Sequence, residues 1–184
     1  KPSAEYLDWI PLHNVTANVH SEITFTGINN DFDEYKFEFV NIHPQTDSAQ
    51  LLWQANAAGA TGFNENITST AFRAYQQEDD SGGAVDYRAG EDQKNADAAY
   101  DIIMEGIDNA NDMSGSGSLI IYAPASGTFM KHFVVESNTT LTAGTKHQIQ
   151  AGYINTTTAI DQINFKMSSG AIDAGTITMF GLAK

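Results

Sequence analysis

Apolar and polar residues alternate in short runs along the whole chain. In residues 21–28, SEITFTGI, Ile23 and Phe25 fall on one side while Glu22, Thr24 and Thr26 fall on the other. A period of two is the pattern of a half-buried β-strand. Roughly eight to ten such runs, separated by turn residues, predict a β-sandwich or barrel. Further strand-like runs are EYKFEFVNIHP, AQLLWQANA, TAFRAY, LIIYAPAS, TFMKHFVVES and KHQIQAGYI, with two more at the carboxyl end.

The segment 95–107, NADAAYDIIMEGI, fits two different structures. Helical spacing joins Ala98, Ile102 and Glu105, whereas alternation joins Tyr100, Ile102 and Met104. Because the segments around it are strand-like, we favour a strand here.

Two other stretches are poor in core residues and predict long loops. Residues 76–97 are rich in acidic residues and glycine, and residues 108–118, DNANDMSGSGS, form a flexible link. Strand-like runs of similar composition continue on both sides of each, which favours loops on one domain over domain boundaries. We therefore predict a single-domain, all-β antiparallel sandwich of jelly-roll type with long acidic loops, spanning residues 15–184.

The closing residues 161–184 carry two alternating runs joined by a Ser-, Gly- and Asp-rich link. The two runs can pair as an antiparallel hairpin that places Ile163, Phe165, Met167, Ile177 and Met179 on one sheet face. Burial of each such side chain contributes on the order of 1.5–3 kcal/mol before entropy is counted. In this hairpin Phe180 and Leu182 lie on the opposite face, which predicts either contact with a neighbouring subunit or a strand end that is covered on both sides.

This closing pattern resembles the terminal hairpin of a β-sandwich family found among virion structural proteins of tailed bacteriophages, which include capsid decoration proteins and head or tail fibre proteins. Ala171 departs from the Asn usual there, and Met179-Phe180 stands in place of Leu-Tyr. Residues 25–55 are similar, more loosely, to the central segment of that family. The matching residues are Ile160, Ile163, Phe165, Ser168, Ser169, Gly170, Ile172, Gly175, Thr176, Ile177, Phe180 and Gly181.

The resemblance implies a non-enzymatic structural protein on the exterior of a virion, made in the cytoplasm of a bacterial host. It also implies a homo-oligomer, with a trimer favoured, and contacts with other virion proteins such as the major capsid or tail proteins. A carbohydrate-binding module of a tail fibre, recognising a host glycan, is the alternative, and a glycan hydrolase is a third hypothesis.

The amino-terminal segment 1–14 is unusually apolar for a chain end and is a candidate docking arm. The competing interpretation is a first strand folded into the domain. The predicted interface residues are Tyr6, Leu7, Trp9, Ile10, Leu12, Phe180 and Leu182.

Charge and composition exclude several classes of function. The formal net charge of −14 repels phosphate backbones, so we expect no nucleic-acid partner. No apolar run approaches the roughly 20 residues that span a bilayer, so we expect no membrane partner. The chain contains no cysteine, which removes thiolate catalysis and Cys-ligated zinc.

Candidate chemical groups are present, but none forms a recognisable motif. The sequence contains no G-x-S-x-G motif, and the five histidines, at positions 13, 20, 43, 132 and 147, do not show metal-ligand spacing. We predict no catalytic residues and no cofactor, with a structural Ca²⁺ as the alternative because oxygen-rich loops such as QEDD, GED and DNAND contain the ligands that this ion prefers. The loop carboxylates are Asp31, Asp33, Glu34, Glu78, Asp79, Asp80, Asp86, Glu91, Asp92, Asp108 and Asp112.

Overall fold

The computed structural model describes residues 8–94 and 98–182, and in this part of the chain every regular element is a β-strand. The prediction of an all-β fold is therefore confirmed. The strands are β1 (Trp9–Thr16), β2 (Ile23–Thr26), β3 (Glu34–Pro44), β4 (Ala49–Ala57), β5 (Ile67–Gln77), β6 (Gly83–Tyr87), β7 (Asp101–Ile107), β8 (Gly115–Tyr122), β9 (Lys131–Leu141), β10 (Gly144–Ile154), β11 (Ile160–Met167) and β12 (Ile172–Leu182).

The strands form two antiparallel sheets packed face to face. The large sheet has the order β1-β12-β3-β8-β9-β10-β5-β6, and the small sheet has the order β2-β11-β4-β7. Apart from β5–β6, β8–β9 and β9–β10, consecutive strands lie in different sheets, so the chain crosses between the sheets at all the remaining connections. This is the strand order of a jelly roll, in which two Greek keys close around one core.

Two insertions widen the large sheet alone. The hairpin β9–β10 lies between β8 and β11 in sequence, and the hairpin β5–β6 lies between β4 and β7. The insertions meet in space, because β10 pairs with β5 from Gly144↔Gln77 to Ile154↔Ile67. The large sheet therefore extends beyond the small one.

Aromatic side chains fill the interior between the sheets. Phe165 on β11 lies edge-on to Phe37 and Phe39 on β3, with ring centroids 5.3 and 5.2 Å apart. Trp53 is fully buried, and its ring centroid lies 4.9 Å from that of Phe133, so it is a core residue. Edge-to-face pairs of this kind add about 0.5–1.5 kcal/mol each beyond the area they bury.

The structure confirms most of the predicted strands and corrects one loop. The run AQLLWQANA is β4, and the ambiguous segment 95–107 contains strand β7, as favoured. The prediction of one continuous loop over residues 76–97 is wrong, because Gly83–Tyr87 forms β6 and pairs with β5. The second predicted loop ends early, since β8 begins at Gly115.

The predicted closing hairpin is wrong, although its inward face is correct. Strand β11 pairs with β2 and β4 in the small sheet, whereas β12 pairs with β1 and β3 in the large sheet. The link between them crosses the sandwich instead of turning back within one sheet. The five side chains predicted to share one face are all buried, because the inner faces of both sheets meet in one core.

The amino-terminal segment divides between described and undescribed residues. Residues 9–14 belong to β1, which pairs with β12 at the edge of the large sheet, as the competing interpretation of a folded first strand expected. Tyr6 and Leu7 lie outside the described residues.

Candidate functional site

The outer face of the eight-stranded large sheet is covered by no other strand of the described residues. The inner positions of its strands are occupied by core residues, and the alternate positions point away from the small sheet. Outward residues that are register partners on neighbouring strands line up in rows that run across the sheet. One row contains Phe180, Lys36, Ile120, Val134 and Ala151.

One end of this outer face is rich in aromatic and aliphatic groups, and we call it the aromatic end. Val134 is 37% exposed, and Phe129 and Met130 in the loop before β9 are 70% and 43% exposed. The rings of His132 and Tyr153, on neighbouring strands, lie 6.2 Å apart. The aromatic end consists of Trp9, Pro11, Ile120, Tyr122, Phe129, Met130, His132, Val134, Tyr153, Phe180 and Leu182.

Lysine side chains hold the groups of the aromatic end in place. Lys36 Nζ lies 4.7 Å from the ring centroid of Trp9 and 5.1 Å from that of Phe180, a cation–π arrangement that joins β1, β3 and β12. Lys131 is fully buried, and its Nζ donates to the carbonyl oxygens of Phe129 at 2.8 Å and Thr156 at 3.2 Å. Burial lowers the pKa of Lys131, and these two bonds fix the loop that presents Phe129.

The opposite end of the outer face is polar and concave. A pocket of about 630 Å³ opens where β12 and β3 both carry irregular register. Gly175 adopts a φ of +108°, and a Cβ there would meet the carbonyl oxygen of Asn41 at 2.5 Å. His43 lies in this pocket, with Nδ1 3.4 Å from Asp173 and Nε2 3.2 Å from the carbonyl oxygen of Ala110.

Two further pockets continue this concavity across the sheet, and we call the whole feature the polar trough. A pocket of about 350 Å³ and one of about 620 Å³ share His147 in their walls. The first pocket lies beside the smaller of these two, since Asn41 N in the wall of the first donates to Ser116 Oγ in the wall of the smaller one at 3.0 Å. Side chains or backbone along the polar trough belong to Thr16, Val40, Asn41, Ser116, Ser118, Glu136, Asn138, His147, Thr145, Gln76, Val85 and Thr176.

The inner face of the inserted hairpins is polar in part, beside the buried apolar residues Ile67, Phe133 and Ile154. Glu105 on β7 accepts from Arg73 at 2.5 Å and from Arg88 at 2.7 Å, and Lys146 lies 3.6 Å away. Arg73 also contacts Asp86 at 3.1 Å. These ion pairs join β5, β6 and β10 of the large sheet to β7, the edge strand of the small sheet.

Asp101 lies deeper in the same polar interior and is fully buried. Its Oδ1 accepts from Gln150 Nε2 at 2.9 Å and from the amide of Ile102 at 3.1 Å, while Oδ2 has no hydrogen-bond partner. Burial raises the pKa of Asp101 to about 7, since the bonds to its carboxylate offset desolvation only in part. Nothing in the sequence distinguishes this residue from the other carboxylates of the chain.

The predicted chemical groups do not converge. His13 lies edge-on to Phe25 at 5.5 Å, whereas His147 lies 3.0 Å from Glu136 on the other side of the molecule. Within residues 8–94 and 98–182, no group of three or more His, Cys, Asp or Glu side chains is placed to hold a metal ion. Some loop carboxylates bond within their own loop, as Asp79 does to the amide of Ser81, and others bond to side chains of a neighbouring strand, as Asp86 does to Arg73.

The structure brings together three of the predicted interface residues, Trp9, Phe180 and Leu182, at the aromatic end. Ile10 and Leu12 lie on β1 at the sheet edge and are 42% and 38% exposed. Sequence reasoning missed Ile120, Tyr122, Val134 and Tyr153. The available signal was that these apolar residues occupy the outward positions of alternating strands.

Comparison with protein-family models, with curated proteins and with solved structures finds no match for this chain. The resemblance to phage virion proteins therefore stays a prediction. Among the described residues, no helix has the length and apolar character needed to cross a bilayer.

Proposed function

We propose that this chain is a non-enzymatic structural protein that works by assembly, with the aromatic end of one copy docked against that of a second copy. The observation that carries the proposal is a large apolar and aromatic surface on a strongly acidic molecule. Tyr, Trp, Phe and Met, which this surface contains, are the residue types enriched in protein interfaces.

The distribution of charge favours a second copy as the occupant. Copies of a chain with a net charge of −14 repel each other, so association requires a surface where few charges are brought together. On β3, Glu34, Lys36 and Glu38 border the aromatic end, one cation and two anions, with Lys36 Nζ 2.7 Å from Glu38. Two aromatic ends can therefore meet with little electrostatic cost while they bury apolar area.

The setting that we propose is the exterior of a tailed-phage virion, in contact with capsid or tail proteins. Two features support it. The closing motif from Ile160 to Gly181 resembles that of virion β-sandwich proteins, and the jelly-roll strand order is one that viral capsid domains use. An aromatic end that meets its own copy gives a two-fold contact, whereas a trimer would require different parts of the aromatic end to meet around a three-fold axis.

Sedimentation analysis over a concentration series tests the proposed interface. We expect the wild-type chain to self-associate and Val134→Glu to weaken association about tenfold or more, since it places a desolvated charge in the contact. Val85→Glu is the matched control, because Val85 is 75% exposed on the same outer face but lies outside the aromatic end. A wild-type chain that stays monomeric, or two variants with equal effects, would refute the interface.

Quantitative mass spectrometry of purified virions tests the proposed setting separately. We expect this chain in virions of the phage that encodes it, at a defined ratio to the major capsid protein. Its absence from such virions would refute the virion assignment and leave the interface result standing.

A further inference from the structure

The polar trough is a row of three pockets that follows the strand order of the large sheet from β1 to β6. Its three pockets reach from Thr16 on β1 to Val85 on β6, so each of the eight strands of the sheet contributes to it or borders it. At about 4.8 Å between neighbouring strands, the row spans roughly 34 Å. A groove of this length fits an extended polymer better than a compact small molecule.

The trough presents hydroxyl, amide and carboxylate groups at the spacing of the strands. Ser118 and Glu136 lie opposite each other on β8 and β9, and Asn138 lies opposite His147 on β10. Some of these groups are already oriented, since His147 lies 3.0 Å from Glu136 and Asn138 donates to Thr145 at 2.7 Å. Donors and acceptors that are fixed before a ligand arrives lower the entropic cost of binding.

Charge and geometry exclude two other kinds of polymer. None of the residues that line the three pockets is Lys or Arg, while Asp80, Asp112, Glu136 and Asp173 are among them. A polyanion is therefore repelled along the whole groove. A peptide strand in the groove lies across the sheet, so it cannot extend the sheet by pairing with an edge.

We propose that the polar trough binds a linear, uncharged polysaccharide, with about one sugar unit over each strand. The strand spacing of about 4.8 Å is close to the length of one pyranose unit, so hydroxyls along the polymer meet a new set of side chains at each strand. Val40, which is 52% exposed, and Val85 offer aliphatic surface to the C–H faces of the sugar rings. The trough shares no lining residue with the aromatic end, although Ser118 and Glu136 lie two residues along their strands from Ile120 and Val134.

Affinity electrophoresis through gels that contain a single polysaccharide tests the proposal. The panel comprises linear neutral glucans, mannans and galactans, with a sulfated polysaccharide as the anionic comparison. We expect at least one neutral polymer to retard the wild-type chain and the sulfated polymer not to do so. We expect Ser118→Ile to weaken retardation about tenfold or more, because it removes a hydroxyl and fills the groove.

Thr70→Ile is the matched control, since Thr70 is an exposed outward residue of the same sheet but does not line the trough. Both variants must retain the melting temperature and the oligomeric state of the wild type, which separates this test from that of the aromatic end. Failure of every neutral polymer to retard the wild type, equal losses in both variants, or retention by an extended peptide instead would overturn the proposal.

Discussion

At the scale of single residues, the least expected feature is a carboxyl group buried without full hydrogen bonding. Asp101 is held by Gln150 and the amide of Ile102, yet Oδ2 has no partner in the described structure. An ionised carboxylate in this position loses its hydration without an adjacent cation to replace it. The folded protein therefore favours the neutral acid, in agreement with a pKa of about 7.

This preference predicts that the free energy of unfolding falls as pH rises from about 4 to about 7. The folded-state pKa of Asp101 lies above its unfolded value, so over that interval the folded chain binds more protons than the unfolded chain. Asp101→Asn keeps an oxygen for Gln150 and cannot ionise. We expect the Asp101→Asn variant to be more stable than the wild type at pH 8 by a few kcal/mol. Its free energy of unfolding should also fall less between pH 4 and pH 7.

Denaturant unfolding at a series of pH values measures both effects. Asp31→Asn removes the same formal charge from an exposed loop and is the control. An Asp101→Asn protein that is less stable than the wild type at pH 8, or that keeps the full pH dependence, would contradict this prediction.

For single residues, the sequence predicts which apolar side chains are buried better than it predicts which polar side chains are buried. Trp53 stands inside LLWQ and is in the core as expected, because apolar neighbours on a strand nearly always indicate burial. Asp101 and Gln150 belong to strands that the sequence does indicate, but their burial depends on inserted hairpins whose position in the fold has no local signal.

At the scale of elements, the sheet changes its register where the first pocket of the trough forms. The register between β12 and β3 shifts on both sides of Ala174, and Asn41 lies at a φ of +52°. Gly175 allows the two strands to approach there, since it combines a positive φ with the close carbonyl oxygen of Asn41. The pocket therefore combines this strand irregularity with the loop before β8, which contributes Asn111, Asp112 and Met113 to its wall.

Gly175→Ala is predicted to destabilise the fold by about 2 kcal/mol or more, because the added Cβ meets backbone and the positive φ is strained. Gly127→Ala is the control, since a Cβ at Gly127 meets no atom within 4 Å. Thermal and denaturant unfolding of both variants measures the difference. Equal stability of the two variants would show that the backbone around Gly175 accommodates the added Cβ without a loss of stability.

The alternation of apolar and polar residues does not predict which strands pair with each other. A period of two assigns inward and outward sides to β11 and β12, and the inward sides were correct. It does not say whether SSGAIDAG turns back within one sheet or crosses to the other, because the same turn residues serve both connections. Strand β6 was missed because Gly83–Tyr87 is short and lies in an acidic, glycine-rich stretch.

At the scale of the whole molecule, the dominant property is an uneven distribution of charge. The chain carries a net charge of −14, while its ion pairs concentrate around Glu105 beneath the inserted hairpins. Exposed charges are screened by salt far more than partly buried pairs are. Added salt should therefore relieve the general repulsion more than it weakens the cluster around Glu105.

We accordingly predict that the melting temperature rises as NaCl increases from low to physiological concentration, where the Debye length is about 8 Å. Calorimetric scans at constant protein concentration measure the change, so that any self-association affects all samples alike. A melting temperature that falls over this range would show that the pairs of Arg73 and Arg88 with Glu105 outweigh the surface repulsion.

The pairing of the two insertions has a consequence for how this architecture can vary. Without β9–β10, the strands β5 and β6 would lose the neighbour that attaches them to the sheet. Without β5–β6, the eleven-residue strand β10 would become an exposed edge strand, and its unpaired backbone groups could pair with strands of other molecules. Shortened descendants of this protein should therefore lack both hairpins or neither, although the two are separated by more than forty residues of sequence.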